Sequence, residues 1–198
     1  MGLGVLRRVA HAFGQRAFPH RLAWVLDLPI RGLILSPDQL ADRLHLTPSL
    51  RVLELGPGSG YFSVEVARRI PEGHLEVLDV QPEMLEKVRR KMEAAGVRNV
   101  GYTQGDACDL AVPDGQFDIV FMVAVLGEVD GPREFLRSIH RILRGGGLLS
   151  ITEQRPDPDF SPLPDIRSLA EAHGFEFVES FGRAWAYTAN FRKPGGGG

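Results

Sequence analysis

The chain has 198 residues, 43% hydrophobic and 24% charged, with a formal net charge of -2 at pH 7. That size and apolar content fit one α/β domain and exclude wholesale disorder, while the near-neutral charge offers no general attraction to nucleic acid. A single cysteine, Cys108, excludes an intramolecular disulfide and a multi-cysteine zinc site, and no apolar run approaches the roughly 20 residues of a membrane-spanning helix.

The N-terminal stretch differs from the rest. Arg7, Arg8, Arg16 and Arg21 all precede the first acid, Asp27, and Leu3, Leu6, Val9 and Phe13 follow helical spacing. A basic amphipathic helix is expected there. Ser36-Pro37-Asp38 reads as a cap and first turn, opening a helix through about Leu44. Residues 1–44 are therefore expected to form a helical cap or interfacial segment, ahead of a main domain over 45–194 and a flexible glycine tail over 195–198.

From Arg51 the chain alternates. Strands are predicted at Arg51 to Leu55, His74 to Val80, Val100 to Gln104, Phe117 to Val123 and Leu148 to Thr152. The fourth, FDIVFMV, is apolar nearly throughout, as a strand buried on both faces should be. Helices are predicted near Tyr61 to Ile70, Pro82 to Ala95, Arg133 to Leu143 and Asp165 to His173, the third stopped by Gly145 to Gly147. Two closing strands, about Phe175 to Ser180 and Ala184 to Phe191, are joined by a turn too short for anything but an antiparallel pair. The sum is a doubly wound, mostly parallel seven-stranded sheet of Rossmann-like type, closed by an antiparallel hairpin.

Three acidic positions lie at or just after the ends of the first three strands. Glu54-Leu55-Gly56-Pro57-Gly58-Ser59-Gly60 lies between a strand and a helix, where glycines let the backbone approach a ligand. The spacing is not the dinucleotide G-x-G-x-x-G; Pro57 removes an amide that a pyrophosphate would want, and Glu54 would repel it. A cationic or amino-bearing ligand fits Glu54 better. Asp79 ends the second strand at the distance where an acid receives ribose hydroxyls, although it can equally cap the helix opening at Pro82. Asp106, in Gly105-Asp106-Ala107, can accept from an exocyclic adenine amine or be a solvated turn residue. Asp118 opens the fourth strand at the opposite edge and is read as structural.

The ordered runs VLELGPGSGYFS, LDVQPEML, QGDACDL, FDIVFMVAVLGEV and LRSIHRILRGGGLLSITE resemble class I S-adenosylmethionine-dependent methyltransferases, especially the branch containing ubiquinone/menaquinone methyltransferases. The resemblance covers about residues 45 to 191. It implies S-adenosyl-L-methionine as cofactor, with Glu54 and the Gly56, Pro57, Gly58 and Gly60 loop holding its methionine part. It further implies Asp79 on the ribose, Val80 or Gln81 beside the adenine, Asp106 with Ala107 at the adenine edge, and Val123 beneath the sulfonium.

The acceptor is narrowed by what is missing. No Asn/Asp-Pro-Pro-aromatic run follows the fourth strand, Cys108 is not at an RNA cytosine nucleophile position, and one cysteine cannot serve arsenite chemistry. No metal is expected. A small-molecule or lipid-like acceptor remains, with Glu128 as acid/base candidate or merely a helix-leading carboxylate, and Glu153 and Gln154 as pocket lining. His140 is expected on the surface, and Cys108 as a small buried residue. The N-terminal helix would close over the site or touch a membrane surface, the protein being otherwise cytoplasmic. A cofactor-binding sensor or assembly protein without turnover is the alternative, since binding residues do not report chemistry.

Overall fold

A computed structural model describes residues 35–106 and 112–195. The stretch expected to form a basic N-terminal helix, Ala107, Cys108 and the last three glycines lie outside them. The first element, α1 (Pro37–Arg43), starts where the sequence says it should. Ser36 accepts from Gln39 N, Gln39 answers on Ser36 N, and Pro37 needs no amide partner in the first turn. Its Leu40, with the following Leu44, is fully buried, so this part of the N-terminal segment is built into the core.

Next come β1 (Arg51–Leu55), α2 (Ser63–Arg69), β2 (His74–Asp79), α3 (Pro82–Ala94), β3 (Val100–Gln104) and β4 (Phe117–Val123). A 3-10 turn at Leu126–Glu128 leads to α4 (Pro132–Ile142), β5 (Leu143–Gln154), α5 (Leu163–Glu171), β6 (Glu176–Arg183) and β7 (Ala186–Arg192). The seven strands lie in the order β3-β2-β1-β4-β5-β7-β6. All neighbours are parallel except β7, which runs antiparallel to both β5 and β6. The order reverses between β1 and β4, and in open α/β sheets that crevice, at the carboxyl ends of the strands, is where ligands bind.

Each sheet face has its own core. Val52, Val77, Ile119 and Phe121 pack with Leu40, Val66 and Val88 from α1, α2 and α3. The alternate positions Leu53, Leu55, Met122 and Ile151 pack with Phe135, Ile139 and Ile166 from α4 and α5. Period-two alternation on every strand thus divides the side chains between two helical layers. Asp118 is structural, as expected: its carboxylate accepts from Arg51 N and pairs with Arg144 at the edge away from the crevice.

Among the boundaries that differ from the sequence reading, two have a clear local cause. The glycines at 145–147 do not separate a helix from a strand, because β5 already begins at Leu143. Pairing with β4 jumps from Phe117↔Leu143 to Ile119↔Leu148, and the extra residues form a bulge that only a glycine run tolerates, with Gly146 at φ +78. Lys193 secures it, its backbone receiving Gly146 N and donating to Gly147 O. Likewise α5 begins at Leu163, inside the proline-rich loop, since Pro162 occupies the cap position and Pro164 the first turn.

Candidate functional site

The crevice is built by the ends of β1, β2 and β4. Beyond Leu55 the chain makes a loop in which Gly56, Gly58 and Gly60 take φ of +60, +56 and +76, a region closed to most side chains. Gly56 N still donates to Leu78 O, extending the β1–β2 ladder by one bond, and Gly60 N folds back onto Pro57 O. A Cβ on Gly56 would meet Val125 Cγ2 at 2.7 Å, and one on Gly60 would press on Val88 at 3.3 Å. Glycine is required here for both conformation and space. Pro57 is buried, and α2 begins only at Ser63 because the tight loop delays it.

Glu54 is 3% exposed, and its Oε2 has no hydrogen-bond partner. Burial pushes its pKa up to about 7, with the Asp79 charge adding to the rise. Ser63 offsets part of that, yet it makes no well-formed bond, for Ser63 Oγ is itself buried without a partner. An unpaired buried carboxyl is costly unless something answers it. Asp79 is 8% exposed and raised to about 6, burial outweighing the amides of Gln81 and Val80. It does not cap α3. The cap position belongs to Gln81, whose backbone N donates to Asp79 Oδ1 at 2.8 Å.

The loop after β3 is drawn to the same place. Gly105 N donates to Asp79 O, one residue before Asp106, whereas Ala107 falls outside the described residues. Val80 is partly buried against the α4–α5 side, and its carbonyl accepts from Gln104 Nε2. Register then carries the line across the crevice. Leu55 pairs with Leu78 on one side and Met122 on the other, so the next residues, Asp79, Gly56 and Val123, share one rung. The acids at 54 and 79, the glycine loop and Val123 are therefore brought together on the α1–α3 side.

Sequence reasoning missed two features just beyond Val123. Ala124 has φ +55 while its N donates to Thr152 O, and nothing about an alanine announces a left-handed residue. It turns Val125 back against Gly56, so the segment after β4 is wedged on the glycine loop.

Glu128 sits in the 3-10 turn, partly buried, and its charge helps push Glu153 up. Glu153 itself, 1% exposed, stands three residues past Ser150, hence on the opposite face from Glu54. Its Oε2 accepts from Ser161 N, its Oε1 has no partner, and burial raises it to about 7. It faces away from the Glu54 side; Gln154 faces toward it. His140 is not simply a surface residue: its ring packs edge-on against Phe175, and burial lowers its pKa. Among the described residues, no His, Cys, Asp and Glu cluster could hold a metal ion, and no helix is long and apolar enough to cross a membrane.

Comparison with known proteins gives this geometry a context. Residues 52–147 match the family described as a methyltransferase domain. The ubiquinone/menaquinone biosynthesis C-methyltransferase UbiE of Vibrio vulnificus is 34% identical over 145 residues, covering 72% of this chain and 54% of that protein. Its counterpart from Ruegeria is 30% identical over 149 residues, covering 74% and 57%. The chain thus spans about half the length of these relatives. Among solved structures, an S-adenosylmethionine-dependent methyltransferase from Aquifex aeolicus superposes with a TM-score of 0.79 at 21% identity, covering 89% of this chain and 99% of that one. The cyclase SpnF superposes at 0.70, with 21% identity over 81% of this chain and 80% of that one, so the shared fold does not by itself fix a reaction.

Proposed function

This chain belongs to the class I S-adenosylmethionine-dependent methyltransferases, and from that premise we propose that it moves a methyl group from S-adenosyl-L-methionine to a small-molecule or lipid-like acceptor. The observation that carries the reading is the buried Glu54 Oε2 left without a partner, next to a loop whose glycines hold a left-handed backbone at the crevice. A carboxylate in that state calls for a cation, and the α-ammonium of a methionine moiety is one. A dinucleotide diphosphate is the wrong charge.

Glu54 and the backbone of Gly56, Gly58 and Gly60 would hold the amino-acid end, with Pro57 stiffening the loop. Asp79 would receive the ribose hydroxyls, Val80 and Gln81 would flank the base, and Asp106 with Ala107 would read its edge. When bound, the cofactor supplies an electrophilic methyl group. Val123 and the wedge at Val125 fix the floor of the crevice, and positioning of this kind can supply much of the rate. Glu128 would take the proton of an acceptor that arrives protonated. The basic stretch before Leu35 would close over the crevice or rest on an anionic membrane surface, the protein being cytoplasmic, free or peripheral to the membrane.

S-adenosylhomocysteine should bind and raise the melting temperature, because a ligand of the native state adds RT ln(1 + [L]/Kd) to stability. A shift with NAD and none with S-adenosylhomocysteine would overturn the assignment. Asp79→Ala should weaken S-adenosylhomocysteine by about 1.5–3 kcal/mol while leaving the fold intact, the loss expected for charged hydrogen bonds. Calorimetry showing unchanged affinity would return Asp79 to a local turn role.

A further inference from the structure

The rung that holds Asp79, Gly56 and Val123 does not stop at β4. Val123 pairs with Thr152 on β5, Thr152 with Thr188 on β7, and Thr188 with Phe181 on β6. Residues of one rung share a face of the sheet, so the ribose-side carboxylate, the crevice floor and these two threonines form one line. Thr188 lies two strands beyond Val123, about 10 Å away at the usual strand spacing. Thr152 and Thr188 are 2% and 0% exposed, and their hydroxyls hydrogen-bond to each other at 2.9 Å.

Arg43, the last residue of α1, closes the line. Its Nη1 donates to Thr188 Oγ1 at 2.9 Å, and its guanidinium lies 5.6 Å from the centre of the Phe181 ring. Its backbone carbonyl accepts from Asn190 Nδ2 at 2.7 Å, which pins the end of the helix to β7. The guanidinium is partly buried, and among the described residues no carboxylate pairs with it. Glu179, the acid of this region, is engaged by His45 at 2.6 Å and by Asn190 at 3.2 Å. A guanidinium has five N–H donors in a planar fork suited to carboxylates and similar anions, and only one is spent on Thr188. A partly buried arginine with no carboxylate partner among the described residues, held beside a ligand crevice, is suited to receive an anion.

We propose that Arg43, positioned by Thr188 and the Thr152–Thr188 hydroxyl pair, docks an anionic oxygen of the methyl acceptor, a phenolate or a carboxylate. The proposal rests on the methyltransferase reading above. It gives the two halves of the crevice opposite character, with carboxylates at the cofactor end and a cation at the acceptor end. A phenolate held there is already deprotonated and needs no base at Glu128 for methylation on that oxygen, a ring carbon having its own proton to lose afterwards, whereas a carboxylate would anchor an acceptor whose reacting atom lies elsewhere.

The test uses the full chain saturated with S-adenosylhomocysteine, with three probes of similar size: 4-nitrophenol, benzoate and the neutral 4-nitroanisole. Both anions, or one of them, should bind in ligand-observed NMR, and Arg43→Gln should weaken the anion by about tenfold or more, with Arg43→Lys intermediate. Affinity for S-adenosylhomocysteine should be unchanged in every variant. Binding of 4-nitrophenol with a lowered phenol titration, read from its absorbance, identifies a phenolate site; binding of benzoate alone identifies a carboxylate anchor. Thr188→Val, which preserves volume and removes the hydroxyl that orients Arg43, should weaken the same anion and repeats the test if Arg43→Gln misfolds. Equal anion binding in wild type and variants, or 4-nitroanisole binding as tightly as the anions, would overturn the proposal. Failure of the wild type to bind S-adenosylhomocysteine would instead remove the reading beneath it.

Discussion

Gly56→Ala should cost about 2–5 kcal/mol of folding stability and abolish measurable binding of S-adenosylhomocysteine. Two terms add. A left-handed backbone costs an L-residue about 1–2 kcal/mol, and Gly56 sits at φ +60. A methyl there would also lie 2.7 Å from Val125 Cγ2, and overpacking a closed site typically costs about 1–3 kcal/mol. Val125 cannot swing aside, being β-branched and 4% exposed. Gly96 separates the terms: it has φ +69 but nothing within 4 Å of its would-be Cβ, so Gly96→Ala should show the backbone cost alone and leave ligand binding intact. Val125→Ala placed in the Gly56→Ala background should recover the steric part, which a double-mutant cycle of urea midpoints would measure. Equal losses for Gly56→Ala and Gly96→Ala would show that the wedge carries no weight.

That wedge marks the boundary of what the sequence discloses. Strand positions were legible where a short apolar run is bounded by turn residues and followed by a helix, as at β1, β2 and β4; β1, β3 and β4 lie at the predicted residues. The glycine loop was legible because glycines, a proline and an acid between a strand and a helix have few other uses. The left-handed Ala124 was not, since its conformation is imposed by the bond from its amide to Thr152 O and not by its own preference. The β5 bulge was hidden for a related reason: glycines ending a helix and glycines bulging a strand look alike until β7 supplies the partner Lys193. Arg43 was invisible as a site residue because its meaning depends on Thr188, far along the chain, and on a rung that only the register reveals.

Apoprotein stability and the stabilisation that bound ligand adds should respond to pH in opposite directions. Glu54 and Glu153 are raised to about 7 and Asp79 to about 6, each chiefly by burial. Between the ordinary carboxyl range and those values the native state holds more protons than the unfolded chain. The derivative of unfolding free energy with pH follows the unfolded minus the native proton count, so it is negative across that window. Apoprotein stability should therefore fall as pH rises from about 4 to about 7, and level off above, where both states are ionised. A ligand that brings an ammonium to Glu54 and hydroxyls to Asp79 favours the ionised carboxylates, so its binding should release protons and strengthen over the same range. The melting-temperature shift from S-adenosylhomocysteine should accordingly be larger at about pH 8 than at about pH 5.5, while the unliganded melting temperature moves the other way. Glu54→Gln should flatten both trends in part, removing a proton site that belongs to the crevice. Glu153→Gln should flatten only the apoprotein trend, because Glu153 faces the α4–α5 layer, away from Glu54. A ligand-induced shift that is constant with pH, or one whose pH dependence disappears in Glu153→Gln and persists in Glu54→Gln, would show that the buried acid answering the cofactor is not Glu54.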